Sequence, residues 1–177
     1  MRRLYICGIL ILSFMILMCS SGATIRTEQP ASPNLKNYKK VYIGWLDFGE
    51  GNWRKYGFKA PKDWSNAIRE LNVNALQDYC RSELSGRTVT GSRGADAPAK
   101  NDLYVKLHLK KHEIKTGMNR IQYLYLDIRF TDMATGQTKY YGDVMIDSSG
   151  FGIGNFTMEG QLNFAMTNLA KFIGSKF

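Results

Sequence analysis

The sequence predicts a two-layer α/β sandwich, with two long helices on one face of a mainly antiparallel sheet. Two patterns predict it, because apolar residues alternate along several segments and recur at helical spacing along two others. The chain has 177 residues, enough for one domain plus a targeting segment. Its 44% hydrophobic content can form a packed core, which excludes wholesale disorder.

The predicted element order is β-α-β-β-β-β-α. The first strand, 41–48, is apolar on both faces, as a central strand would be. Asp63 is the predicted N-cap of the first helix, whose apolar stripe continues at three- and four-residue spacing. Gly86 is suited to end this helix, and a short strand, 87–90, follows.

Three further strands are predicted at 103–109, 124–130 and 140–146, followed by a helix over 158–172. Short turns join the strands, which should form an antiparallel meander. Each helix has one apolar stripe, so both helices should cover the apolar face of this meander. Leu126 is then expected to be buried, with the next side chain, Tyr125, on the opposite face.

Residues 1–19 are predicted to be a lipoprotein signal peptide. Two arginines precede an uncharged stretch that is shorter than the roughly 20 apolar residues of a spanning helix. The stretch ends at Met18-Cys19-Ser20, which resembles the lipobox of bacterial lipoproteins, although that pattern usually has a small residue where Met18 stands. The resemblance implies acylation of Cys19. The alternatives are cleavage after Ala23 without lipidation, or an uncleaved anchor.

Residues 20–37 are predicted to be a flexible tether, because they are polar, contain two prolines and show no apolar period. The folded domain is then expected over 38–177. Cys80 is the one cysteine of that domain, so no disulfide can form within it. Its expected role is that of a small buried apolar residue.

The charge balance is basic, with 24 Lys and Arg against 15 Asp and Glu. An exported basic protein can bind anionic lipid headgroups, lipopolysaccharide or acidic glycan. The alternative is that the positive charge serves only to keep the protein soluble. The export signal argues against nucleic acid as the partner.

No catalytic, cofactor or metal site is predicted. His108 and His112 are four residues apart on a strand, about 13 Å, too far to share one ion. The glycines at 150–154 lack a Walker lysine and the dinucleotide spacing. Ser148 and Ser149 have no partners at a recognisable triad spacing. An enzyme is therefore not expected, although a triad assembled in space keeps a hydrolase as the third alternative.

Two surfaces are candidates for binding. One is a loop, 49–62, in which aromatic residues beside basic ones suit a protein interface: Trp53, Arg54, Tyr56 and Phe58. The other is the polar sheet face, where tyrosines among cations could stack sugars or hold phosphates: Tyr104, Lys106, Lys110, Tyr125 and Arg129. The structural alternatives are a loop packed on the core and an ordinary solvated face with cross-strand pairs.

The predicted domain, 38–177, resembles a group of small periplasmic lipoprotein domains. The similar segments are VYIGWLDF, CRSELSGR, NDLYV, DMATG and the closing helix with Leu169-Ala170. The group includes the penicillin-binding-protein activator lipoproteins, the soluble domain of the curli-secretion lipoprotein and the lipopolysaccharide-assembly lipoprotein. This architectural resemblance implies a non-catalytic protein, lipid-anchored in the outer membrane and facing the periplasm, that binds or assists an assembly or secretion partner. The alternative is a carrier or sensor of an anionic ligand such as lipopolysaccharide or glycan.

Overall fold

The computed structural model describes residues 22–48, 54, 62, 66–67, 70–91, 97–115, 121–149 and 157–177. The strands are β1 (Ala23–Gln29), β2 (Lys40–Ile43), β3 (Thr88–Gly91), β4 (Leu103–Lys115), β5 (Ile121–Asp132) and β6 (Thr138–Asp147). The helical elements are a 3-10 turn (Pro33–Asn37), a π-helical segment (Glu70–Leu76) that continues into α1 (Gln77–Glu83), and α2 (Met158–Gly174). The predicted start of the first helix, at residue 63, lies outside the described residues.

The strands form one sheet in the order β1-β6-β5-β4-β2-β3. β4, β5 and β6 make the predicted antiparallel meander, and β1 pairs antiparallel with β6. β2 runs parallel to both β4 and β3, which makes it an interior strand as predicted. The predicted strand over 41–48 is shorter than expected, because β2 ends at Ile43 and Leu46 and Phe48 enter the core from irregular chain.

The helices pack on one face of this sheet, which confirms the two-layer α/β sandwich. We call this the inner face. Leu126 on β5 is fully buried there, whereas its neighbour Tyr125 is part-exposed on the opposite, outer face, as predicted. α2 contributes the apolar side of its amphipathic helix to the same core: Leu162, Ala165, Met166, Leu169 and Ile173.

The tether predicted over 20–37 is wrong for most of its length. Residues 23–29 form the edge strand β1, and Pro33–Asn37 form a 3-10 turn whose Leu35 is buried in the core. The pattern was missed because an edge strand buries little. Apart from Ala23, the side chains of β1 are exposed, so no apolar alternation marks them.

The two ends of the sheet are named by the position of the N-terminal strand. At the entry end, Ala23 pairs with Ile146, and Asp147 donates its backbone N–H to the Gly22 carbonyl. The far end contains the starts of β2, β4 and β6 and the close of β5. β4 spans the whole distance in 13 residues, about 40 Å at the usual strand rise.

Two smaller predictions are confirmed. Cys80 is fully buried in the core, and burial raises the pKa of its thiol to about 12. Gly86 adopts a φ of 80°, the left-handed conformation that glycine favours after a helix. No helix in the described part of the chain combines the length and the apolar character needed to span a bilayer.

Candidate functional site

The outer face of the sheet carries the five sheet residues that the sequence singled out. Alternation places Tyr104 and Lys106 of β4, and Tyr125 and Arg129 of β5, on this side, away from the helices. Lys106 is directly opposite Arg129 in the antiparallel register. Their binding role stays a prediction, whereas their common face is observed.

Lys110 reaches the outer face through a β-bulge. The β4–β5 register shifts between Leu109 and Lys111, so Lys110 is the extra residue. Its ammonium is 3.1 Å from a carboxylate oxygen of Asp127 and 2.8 Å from one of Asp143. The hydrogen bond to Asp143 is the main cause that raises the pKa of Lys110.

The carboxylates at this position connect four strands, β1, β4, β5 and β6. Asp143 of β6 is also 3.9 Å from the guanidinium of Arg26, which belongs to the irregular part of β1. Asp127 accepts a hydrogen bond of 3.1 Å from the hydroxyl of Tyr141. We call this half of the outer face the paired region, defined by Arg26, Lys110, Lys111, Glu113, Tyr125, Asp127, Tyr141 and Asp143.

Tyr125 is held by charged groups on two sides. Its hydroxyl donates to Glu113 at 2.7 Å, and the Lys111 ammonium is 5.7 Å from its ring centroid. Lys111 also contacts Glu113 at 2.5 Å, and this hydrogen bond is the main cause that lowers the pKa of Glu113. The hydrogen bond to Glu113 is in turn the main cause that raises the pKa of Tyr125.

The prediction of a basic sheet face is therefore corrected for this half. Acidic residues from β4, β5 and β6 neutralise most cations of the paired region, because the register brings side chains from three strands together. Lys110, predicted as part of an anion-binding surface, is already between two aspartates. The cross-strand pairs considered as the structural alternative are present in this half.

The half of the outer face toward the far end is different. Lys40, Lys106 and Arg129 are exposed, and none of them forms an ion pair within the described ranges. Arg129 instead places its guanidinium 5.6 Å from the ring centroid of Tyr141. We call Lys40, Tyr104, Lys106 and Arg129 the cationic region. Lys40 was missed by sequence reasoning because a single residue preceding an apolar strand gives no pattern.

Tyr104 lies among these cations with its ring fixed. The ring meets Tyr42 edge to face, with centroids 5.7 Å apart. Gly44 also lies against this ring, and a Cβ there would come within 3.0 Å of the Tyr104 ring and 2.9 Å of the Val105 carbonyl. Glycine thus permits the close approach, and burial is the main cause that raises the pKa of Tyr104.

Most of the other predicted site residues lie outside the part of the chain that the structure describes. Cys19, Trp53, Tyr56 and Phe58 lie outside the described residues, and of the aromatic loop the structure describes only Arg54, which is exposed. The two histidines lie on opposite faces, since the bulge turns His112 inward, where its Nε2 is 2.8 Å from Gln122 Oε1. No group of metal-ligating side chains is found within the described ranges.

Comparison with known proteins supports the fold and leaves the family open. No family model matches the sequence, and no curated protein matches it. The structure is similar to a PelC dodecamer from Paraburkholderia phytofirmans, with a TM-score of 0.50 and 16% identity over 87% of this chain and 96% of that one. It is also similar to a minor lipoprotein from Acinetobacter baumannii, with a TM-score of 0.35 and 12% identity over 78% and 91% of the two chains. The first similarity concerns the fold alone, and the second is too weak to add to it.

Proposed function

We propose that this chain is a non-catalytic lipoprotein of the bacterial cell envelope that binds a protein partner through the paired region. The lipobox-like sequence at Cys19 supports envelope anchoring. The fold shared with the PelC structure is compatible with such a role. Outer-membrane attachment with the domain facing the periplasm is part of the proposal.

The observation that carries the proposal is the fixed orientation of the tyrosines in the paired region. The hydroxyls of Tyr125 and Tyr141 are each bonded to a carboxylate. A ring that is already immobilised loses little conformational entropy when a partner packs on it. Tyrosine and arginine are also enriched at protein interfaces. The described helices all lie on the inner face, which leaves this surface to a partner.

The position of β1 changes how the anchor would hold the domain. β1 begins at Ala23, so only residues 20–22 separate it from Cys19. Three extended residues span at most about 10 Å. An acylated Cys19 would therefore keep the entry end of the sheet close to the bilayer surface, instead of suspending the domain on a long tether.

The anchor is tested at the N-terminus. We expect mass spectrometry of the mature protein to find an acylated chain that begins at Cys19. Cys19→Ser should move the protein from the membrane to the soluble fraction. An unmodified chain that begins at Thr24 would contradict the proposal.

The partner is tested by comparing variants on one surface with a control on another. A second copy of the chain is the first partner to examine, since the similar PelC structure is a dodecamer. Light scattering measures self-association, and cross-linking in envelopes followed by quantitative mass spectrometry measures other partners. Tyr125→Ala should weaken the complex, whereas Lys171→Ala, exposed on α2, should not. Equal complex formation by both variants would exclude the paired region as the site.

The aromatic loop remains a second candidate surface for the same partner. Trp53→Ala is expected to weaken binding by about 2 kcal/mol or more if this ring is the main anchor. The same cross-linking measurement compares Trp53→Ala with Tyr125→Ala. Loss with Trp53→Ala alone would move the interface from the paired region to the loop.

A further inference from the structure

We propose that the cationic region binds an acidic glycan, with Tyr104 as the stacking surface and Lys40, Lys106 and Arg129 as the groups that hold its carboxylates. This inference concerns a different half of the outer face from the protein-binding surface. It rests on the proposed lipid anchor only for the orientation of the site.

The unusual feature is a pair of like charges. Lys106 and Arg129 are directly opposite on β4 and β5, where the Cβ atoms of such a pair are about 5 Å apart, and the Arg129 guanidinium lies over the ring of Tyr141 on β6. Like charges directly opposite are unfavourable in a sheet. No described carboxylate relieves this pair, although every lysine or arginine of the paired region contacts one. An anionic ligand bound between the two cations would remove the repulsion.

The geometry around Tyr104 adds an aromatic surface to this charge. Lys106 is two residues along the same strand, Arg129 is diagonal on β5, and Lys40 is diagonal on β2. Such neighbours are about 7 Å apart on a sheet. An aromatic ring can stack on the C–H face of a sugar while arginine and lysine hold its acidic group.

The far end adds further positive charge, and its carboxylates Asp102 and Asp132 form no ion pair among the described residues. Asp102 accepts a hydrogen bond from the Ala99 backbone at 2.8 Å, and Asp132 accepts one from the Tyr38 hydroxyl at 2.8 Å. Three further exposed lysines lie at this end without an ion pair among the described residues: Lys36, Lys39 and Lys100. The region places one part-exposed ring among several cations, an arrangement that suits a sugar polymer with repeated acidic groups.

The position of the region also separates it from the anchoring membrane. Lys106 is nine residues from the entry end of β4, about 30 Å along the strand. A glycan in the periplasm can bring its carboxylates to a site at this distance from the bilayer. Headgroups next to the anchor are closer to Lys111 and Lys115 at the entry end.

The test measures binding of the full-length protein to polygalacturonate, with neutral dextran of equal length as the control polymer. We expect binding to polygalacturonate alone, weakening steeply as salt screens exposed charges over about 8 Å at physiological strength. The double variant Lys106→Gln, Arg129→Gln should bind polygalacturonate about tenfold more weakly than the original protein. The matched double variant Lys111→Gln, Lys115→Gln removes the same charge at the entry end and should bind within about twofold of the original.

Three results would overturn the inference. Equal weakening in both double variants would show attraction by net charge without a site. Equal binding of dextran would show that the acidic groups are not recognised. For the protein in vesicles, loss of polygalacturonate binding when phosphatidylglycerol is added would identify the lipid as the occupant. Binding of polygalacturonate by the Cys19→Ser protein is measured separately, because it tests the glycan site even if the anchor proposal is wrong.

Discussion

The two halves of the outer face are built from the same strands but use their charges differently. In the paired region, Lys110 lies between two carboxylates, and the tyrosine hydroxyls are hydrogen-bonded to acids. In the cationic region, Lys106 is opposite Arg129, and neither forms an ion pair with a described carboxylate. The first arrangement stabilises a preformed surface, and the second leaves charge available to a ligand. Composition alone would describe both halves as tyrosine-rich and basic.

The largest expected effect lies beneath both halves, in the core. Leu126→Ala should lower the free energy of unfolding by about 2–5 kcal/mol, because it removes a fully buried side chain. Tyr125→Ala, one residue away on the outer face, should cost much less. Urea denaturation measures both variants. Equal losses would show that the register of β5 is wrong.

The paired region should lose stability when its central carboxylate is removed. Among the described residues, Asp143→Asn leaves Lys110 with one acidic partner and Arg26 with none, at an expected cost of about 1 kcal/mol. Lys40→Gln in the cationic region is the counterpart and should change stability by less than about 0.5 kcal/mol. The same urea curves compare them, and a larger loss for Lys40→Gln would reverse the assignment of the two halves.

Acid should affect the paired region through Glu113. Its pKa is lowered, first by Lys111 and then by Tyr125. A lowered pKa in the folded state gives stability that is present above the unfolded value, near 4.5, and lost as pH falls below it. Glu113→Gln should therefore lose less stability than the original protein on acidification.

The control for this pH dependence is Glu83→Gln, at the exposed end of α1, which has no ion pair in the part of the chain that is described. The urea midpoint is compared at about pH 6 and about pH 3 for the three proteins. An unchanged acid response in Glu113→Gln would show that its contact with Lys111 does not stabilise the fold.

The sequence predicts the layers and faces of this fold well, because strand side chains alternate with a period of two. Leu126 and Tyr125 could therefore be assigned to opposite faces without a structure. β1 could not be found in this way, since an edge strand with exposed side chains has no apolar alternation. Its β-branched residues, such as Ile25, favour a strand. They lie, however, in a segment whose polar residues and prolines, such as Pro30, indicate irregular chain.

The candidate site was predicted less completely than the fold. Alternation placed Tyr104, Lys106 and Arg129 on one face, but pairing between strands depends on register. Asp143 on β6 neutralises Lys110, a bulge residue of β4, across the intervening strand β5, and no sequence spacing gives that contact. The division between paired and cationic regions is thus a property of the assembled sheet.

Reversing one charge in each half tests this division most directly. Lys106→Glu places an acid opposite Arg129 and should raise the free energy of unfolding by about 0.5 kcal/mol. Lys110→Glu places a third acid beside Asp127 and Asp143 and should lower it by about 1 kcal/mol or more. Urea denaturation at low salt should therefore give changes of opposite sign. Changes of the same sign and similar size would contradict the division of the outer face into two regions.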